Sequence, residues 1–224
     1  VEGECPGSAL QPMIAPIAAI KQFLPLSNTF PPANRTNCFL IGDAGVKCVL
    51  IDPSPKDKEE YQKLLNSIES YKIDYIFLTH HHPDHHELAP DLARELKVPI
   101  GLSEDSHQRI ISKKGVEYFE GVDIEILAEG DELTTCNGES VKLISTPGHD
   151  EGQMGLIPES LDWAIVSDLI QTIGTVVIGG SAGDMRKYFN SLQRVIDLNP
   201  KVVFPSHGIA MGGVEKLKNT LAHR

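Results

Sequence analysis

The segment Thr79-His80-His81-His82-Pro83-Asp84-His85-His86 places His80, His82, Asp84 and His85 at the spacing H-x-H-x-D-H. Imidazole nitrogens and carboxylate oxygens are ligands suited to zinc and to other divalent transition metals. Crowded at the end of the apolar run 73–78, they make half of a metal site, presented by a strand end. Histidine tracts also occur as loosely metal-binding surface segments. Here the tract is interrupted by Pro83-Asp84 and sits behind a buried-strand pattern, which argues for a built site.

One cluster cannot close such a site, so ligands are expected at other strand ends. Thr146-Pro147-Gly148-His149 follows an apolar run at 141–144, and Pro-Gly there forces a turn that presents a side chain. Ser167-Asp168 follows the run 163–166, and Pro205-Ser206-His207-Gly208 follows 202–204. A single His or Asp after a strand is usually an ordinary loop residue. Three at the same kind of place, all with metal-ligand chemistry, point to one site. His81, His86, His107 and His223 read as surface residues or as supports of the ligands. No serine or cysteine occupies a nucleophile-elbow motif, so an attacking water is expected instead.

The elements that must position these residues follow from periodicity. An irregular proline-rich lead-in over 1–33, including the apolar stretch 13–20, leaves room for one early strand. Runs at 38–41 and 46–51, separated by Gly42-Asp43-Ala44-Gly45, read as a hairpin. Ser54-Pro55-Lys56-Asp57 looks like an N-cap, a first-turn proline and a capping acid. Tyr61, Leu64, Leu65 and Ile68 then mark one helical face. A helix is expected over 84–96 and a strand at 98–102, with Ser103 opening another helix. Further strands are expected at 116–119, 124–127, 141–144, 155–157, 163–166 and 202–204. The strongest helical pattern of the second half is Met185, Tyr188, Phe189, Leu192, Val195 and Ile196. Strands alternate with helices, yet hairpins occur, so the sheets are expected to be mixed. Both halves run from strands through an amphipathic helix to a strand ending in histidine. That rhythm suggests two sheets back to back with helices on both outer faces.

Length and composition fit one domain over residues 1–224, at 41% hydrophobic. Lys and Arg total 20 against 31 Asp and Glu, a net charge of −11 with the acids dispersed. Nothing in that balance supplies the clustered cations that non-specific nucleic-acid binding needs. No apolar run approaches membrane-spanning length. Cys5, Cys38, Cys48 and Cys136 are scattered without a C-x-x-C pair, which reads as reduced thiols in a cytoplasmic protein. The chain begins at Val1 and stops inside a helical pattern, as a processed or trimmed piece would.

With these motifs in order, the sequence resembles the metallo-β-lactamase superfamily, whose pattern is H-x-H-x-D-H followed by separate His, Asp and His. The likeness runs from Asn37-Cys38-Phe39-Leu40-Ile41-Gly42 to Pro205-Ser206-His207-Gly208. It implies an α/β, four-layer αββα sandwich with two mixed sheets. It implies that His80, His82 and His149 hold one metal, that Asp84, His85 and His207 hold a second, and that Asp168 bridges them. The metals would be two divalent ions, zinc first, with iron or manganese as alternatives. Asp52 matches the family's early aspartate and would orient the histidine loop without being a ligand.

Two such ions, about 3.5–4 Å apart, can share a hydroxide and activate it near neutral pH. Asp84 can orient it and pass a proton to the leaving group. β-Lactamases of the commonest zinc class resemble the chain less, having cysteine at the position of Asp168. Flavodiiron proteins place Glu at the position of His82, and glyoxalase II has glycines where His86-Glu87-Leu88 stand. The segments Ser167-Asp168-Leu169-Ile170, Tyr188-Phe189-Asn190-Ser191-Leu192 and Leu221-Ala222-His223-Arg224 are similar to the β-lactamase-like protein-two group, where a small C-terminal helical domain commonly follows. The expected function is therefore hydrolysis of a small ester, thioester or lactone. A metal-dependent endoribonuclease or phosphodiesterase, disfavoured by charge, and a mononuclear iron persulfide dioxygenase are the alternatives. The substrate partner is a small molecule; nothing in the sequence speaks to oligomeric state.

Overall fold

In a computed structural model, residues 19–223 are described. The expected stretch 13–20 and Cys5 therefore lie largely outside the described residues. One sheet runs β1 (Lys21–Phe23), β2 (Cys38–Ile41), β3 (Val49–Ile51), β4 (Tyr75–Phe77), β5 (Ile100–Leu102) and β6 (Ile124–Ile126), in that spatial order. The other runs from β7 (Glu132–Cys136) through β8 (Glu139–Ser145), β9 (Met154–Pro158) and β10 (Trp163–Ser167) to β11 (Val202–Pro205) and β12 (Met211–Gly212). Both are mixed. β1 to β3 are antiparallel neighbours and β3 to β6 parallel ones, while β10 and β11 form a parallel pair in an otherwise antiparallel sheet.

The layers follow from the two-residue period of strands. In β2, Phe39 and Ile41 face the second sheet, in a core shared with Leu143, Leu156, Ile165 and Phe204. Cys38 and Leu40 face the other way, among residues of α1 (Lys58–Ile68), α3 (Ala89–Leu96) and α4 (Glu104–Lys114), the short α2 (Pro83–His86) preceding α3 in the chain. β10 repeats the division: Trp163 and Ile165 point to the central core, Ala164 and Val166 to α5 (Met185–Leu198) and α6 (Glu215–His223). Every strand buried on both faces must be apolar on both, which is why these runs read as continuous. The arrangement is the αββα sandwich.

Three local expectations are corrected. Residues Val116–Phe119 form a 3-10 helix, not a strand, pinched between Gly115 and Gly121, both at positive φ. The helix expected over 84–96 is two helices, α2 and α3, broken at Leu88 (φ 61). Pro90 has no N–H to offer the His86 carbonyl, and that carbonyl instead accepts from the Tyr118 hydroxyl at 2.9 Å. α1 is capped by Asp57, whose carboxylate accepts from the Glu60 N–H at 3.0 Å. Ser54 is buried and serves the histidine loop, donating to the Pro83 carbonyl (2.9 Å) and accepting from the Glu87 N–H (3.1 Å). Cys38, Cys48 and Cys136 are free thiols, Cys38 and Cys136 buried and Cys48 half-buried. No helix among the described residues is long and apolar enough to cross a membrane.

Candidate metal centre

Five strands of both sheets end at one rim of the sandwich, and each delivers a residue there. β3 ends at Asp52, β4 leads into His80 to His85, β8 into His149, β10 into Asp168 and β11 into His207. Backbone hydrogen bonds stitch these ends together: Asp52 N to Phe77 O (3.0 Å), Met154 N to Thr79 O (2.9 Å) and Ser206 N to Ser167 O (3.1 Å).

Two of the turns carry visible constraints. At the end of β10 the pairing with β11 shifts register between Ile165 and Ser167, and Ser167 adopts φ 52. A bulge of this kind bends a strand and re-aims the next side chain, here Asp168. A non-glycine residue held at positive φ stores strain of order 1–3 kcal/mol, a cost met by surrounding contacts. Gly148 (φ 131) precedes His149, and a Cβ there would overlap the backbone of Tyr188 at the start of α5. Only glycine allows α5 to press the His149 turn into place.

The side chains fall into two clusters. In one, His80 Nε2 and His149 Nε2 each lie 2.9 Å from His82 Nδ1. Three ring nitrogens converging in this way lie near the spacing of about 3.3 Å that tetrahedral coordination of a divalent metal by imidazoles requires. The second cluster contains Asp84, His85 and His207, with His207 Nε2 3.4 Å and His85 Nε2 3.9 Å from Asp84 Oδ2. Asp168 lies between them. Its Oδ2 is 3.4 Å from His149 Nε2 and 3.6 Å from His85 Nε2, and its Oδ1 is 3.4 Å from His207 Nε2. His85 Nε2 and Asp168 Oδ1 are buried without a hydrogen bond among the described residues. Buried polar atoms rarely go unpaired, and a cation between these groups would satisfy both. The residues present therefore fit a pair of divalent ions.

Supporting groups choose which nitrogen of each ring is offered. His85 Nδ1 donates to Asp52 Oδ2 (2.8 Å), His149 Nδ1 to the Val177 carbonyl (2.7 Å) and His207 Nδ1 to the Arg35 carbonyl (3.0 Å). Carboxylates and carbonyls only accept, so each ring carries a proton on Nδ1 and leaves Nε2 as the nitrogen facing inward, a ligand atom once the ring is neutral. Asp52 also accepts from Thr79 N (2.8 Å) and Thr79 Oγ1 (2.7 Å), and Thr79 Oγ1 is 2.8 Å from Ser167 Oγ.

Electrostatics separate the clusters. Burial, with the nearby imidazoles, pushes His80 far below the usual histidine range and His82 to about 4, so both rings are neutral. Burial also opposes charge on His207, but Asp168 and Asp84 outweigh it and raise its pKa to about 10. His85 is likewise raised against burial by Asp52, Asp168 and Asp84. Asp168 resists burial through His207 and His85 and stays well below the ordinary carboxylate range.

All seven residues expected from the sequence meet here. His81 and His86 are not surface residues: they are 3% and 2% exposed. His81 Nδ1 contacts Asp150 Oδ2 at 2.5 Å and its Nε2 lies 3.0 Å from Lys113 Nζ, tying the histidine loop to the His149 turn. His86 packs edge-on against Tyr118, with Nδ1 2.8 Å from its hydroxyl. His107 is half-buried beside the Phe119 ring, and His223 is exposed. Sequence reading passed over Thr79, Ser167 and Asp150; their only signal is adjacency to His80, Asp168 and His149.

Comparison with known proteins agrees with this geometry. The family described as "Metallo-beta-lactamase superfamily" matches residues 31–207. A "Beta-lactamase-like protein 2 homolog" of Caenorhabditis elegans is 31% identical over 198 residues, covering 84% of this chain and 61% of that protein. An "Atrochrysone carboxyl ACP thioesterase" of Aspergillus fumigatus is 23% identical over 184 residues, covering 81% of this chain and 53% of that protein. The chain thus spans less than two thirds of the length of either relative. Among solved structures, a metallo-beta-lactamase family protein from Thermus thermophilus superposes with a TM-score of 0.75 at 20% identity, over 93% of this chain and 80% of that one.

Proposed function

The chain belongs to the metallo-β-lactamase superfamily, and from that premise we propose that it is a metal-dependent hydrolase of a small ester, thioester or lactone. One observation carries the reading: the carboxylate of Asp168 faces both clusters at once, as a shared ligand of two ions must. His80, His82 and His149 would hold one ion, and Asp84, His85 and His207 the other, with Asp168 common to both. The nitrogen-rich donor set favours zinc, and a thioesterase among the relatives supports the reaction class. When bound, two such ions polarise a carbonyl and lower the pKa of water toward neutrality.

The chain's own residues do the rest. Asp52, Val177 and Arg35 fix the ring orientations through the hydrogen bonds described above, so the donor atoms need not reorganise as charge develops. Asp84 lines the cavity at the site; drawn below its usual pKa, against burial, by His85 and His207, it is an acceptor able to take a proton and pass it to a leaving group. The dispersed negative charge favours a small substrate over a polyanion. The free thiols are consistent with a reducing, cytoplasmic setting.

The test is a panel of thioesters, lactones, aryl esters and single-stranded RNA, offered to protein of measured metal content. Hydrolysis of a small acyl substrate, abolished by a chelator and restored by zinc, is expected. Salt-sensitive RNA cleavage with no acyl hydrolysis, or oxygen uptake with a persulfide, would replace this reading.

A further inference from the structure

A cavity of about 270 Å³ opens on the two clusters, and His82, Asp84, His149, Asp168 and His207 all line it. Apart from Pro83, the rest of its lining comes from two segments, residues 28–33 and 171–179. Their apolar members, Phe30, Ile173 and Val177, are 82%, 43% and 63% exposed. Single exposed apolar side chains are ordinary on a protein surface. Here three of the eight large exposed ones among the described residues stand around one cavity. Such a concentration marks a binding surface. Pro31, Pro32 and Val176 extend it.

Charge sharpens the reading. Among the described residues lining the cavity there is no Lys or Arg, and the only carboxylates are Asp84 and Asp168. A substrate carrying phosphates or a free carboxylate on this side would find no counter-charge beyond the ions themselves. The apolar wall is also registered to the reacting centre, because the Val177 carbonyl that holds His149 Nδ1 at 2.7 Å belongs to a wall residue. An acyl group packed on Val177 therefore sits at a fixed offset from a ligand of the proposed site.

We propose that this cavity is an acyl chamber, selecting esters and thioesters of uncharged apolar acids, aryl or branched alkyl, through Phe30, Ile173 and Val177. The selection rests on the hydrolase reading above; the chamber's affinity for apolar acyl groups does not. A hydrophobic pocket distinguishes ligands differing by a few carbons by about tenfold or more.

Two readouts test it. Calorimetry on zinc-loaded protein compares benzoate, acetate and succinate as product analogues. Kinetics compares the benzoyl, acetyl and succinyl thioesters of N-acetylcysteamine. Benzoate is expected to bind at least about tenfold more tightly than acetate, and kcat/KM to follow the same order, with succinyl last. Phe30→Ala and Ile173→Asp, both at exposed positions, should each cut the benzoyl-to-acetyl ratio by at least about fivefold with metal content and melting temperature retained. Equal binding and equal kcat/KM across the three, or a preference for succinyl, overturns the chamber while leaving the hydrolase. Tight benzoate binding without turnover of these thioesters or of any ester or lactone of the panel above overturns the hydrolase and leaves the chamber.

Discussion

The two ligand clusters share Asp168 and a rim of the sandwich, yet they are held together by different physics. His80, His82 and His149 form a cluster with no carboxylate of its own, and burial keeps His80 and His82 neutral with their nitrogens 2.9 Å from one another or from His149. Asp84, His85 and His207 form the other, where carboxylates and charged rings compensate one another at 3.4–3.9 Å. The first is preorganised by packing, with His80 and His82 already neutral through burial. The second is preorganised by charge, and a cation must displace protons, since a ligating imidazole is neutral. Close packing accordingly gathers under the first, where only glycine fits against Tyr188 at position 148, and carboxylate support under the second, in Asp52.

The largest effect should come from the residue that abolishes the distinction. Asp168→Ala removes the shared ligand, and we expect metal content to drop from two ions to one or fewer per chain and hydrolysis to fall by more than about a thousandfold. Metal analysis on the purified variant checks it; two ions retained would mean that the clusters are independent.

Next, Gly148→Ala should strike the packed cluster. A Cβ at φ 131 that overlaps Tyr188 forces α5 or the His149 turn to move, costing about 2–3 kcal/mol. Denaturant unfolding reads the loss, and a change below about 0.5 kcal/mol would show that the turn adapts freely.

Asp52→Asn should strike the charged cluster selectively. The carboxylate that orients His85 Nδ1 is lost, and affinity for one ion should fall by about 10–100-fold while the other is unaffected. Competition with a chromogenic chelator separates the two; equal weakening of both would break the comparison. His86→Ala should be the mildest, leaving both ions and costing about 1 kcal/mol through the lost Tyr118 hydrogen bond.

The contrast between clusters also explains what could be read from sequence. Ligands announced themselves because strands end where apolar runs stop, and all seven candidate residues follow such ends. The layer order was legible in the repeated rhythm of the two halves, and β2 and β10 bear it out by turning alternate residues to different cores. Supports were not legible. Lys113 reaches His81, and Asp150 meets it, through contacts 32 and 69 residues apart in sequence, for which local spacing carries no code. The break at Leu88 was hidden because Leu88, Leu92 and Leu96 keep helical spacing across it; the missing N–H of Pro90 decides the matter. Val116–Phe119 is ambiguous because a four-residue stretch of β-branched and aromatic residues around one Glu fits a strand and a 3-10 turn equally well.

The central claim is that two distinct clusters each hold an ion. Elemental analysis of the protein, purified without chelator and saturated with zinc, alongside His207→Ala tests it most directly. The account predicts close to two ions per chain in the unaltered protein and close to one in the variant, with the remaining ion still bound by His80, His82 and His149. A single ion in the unaltered protein, left unchanged by His207→Ala, would contradict it.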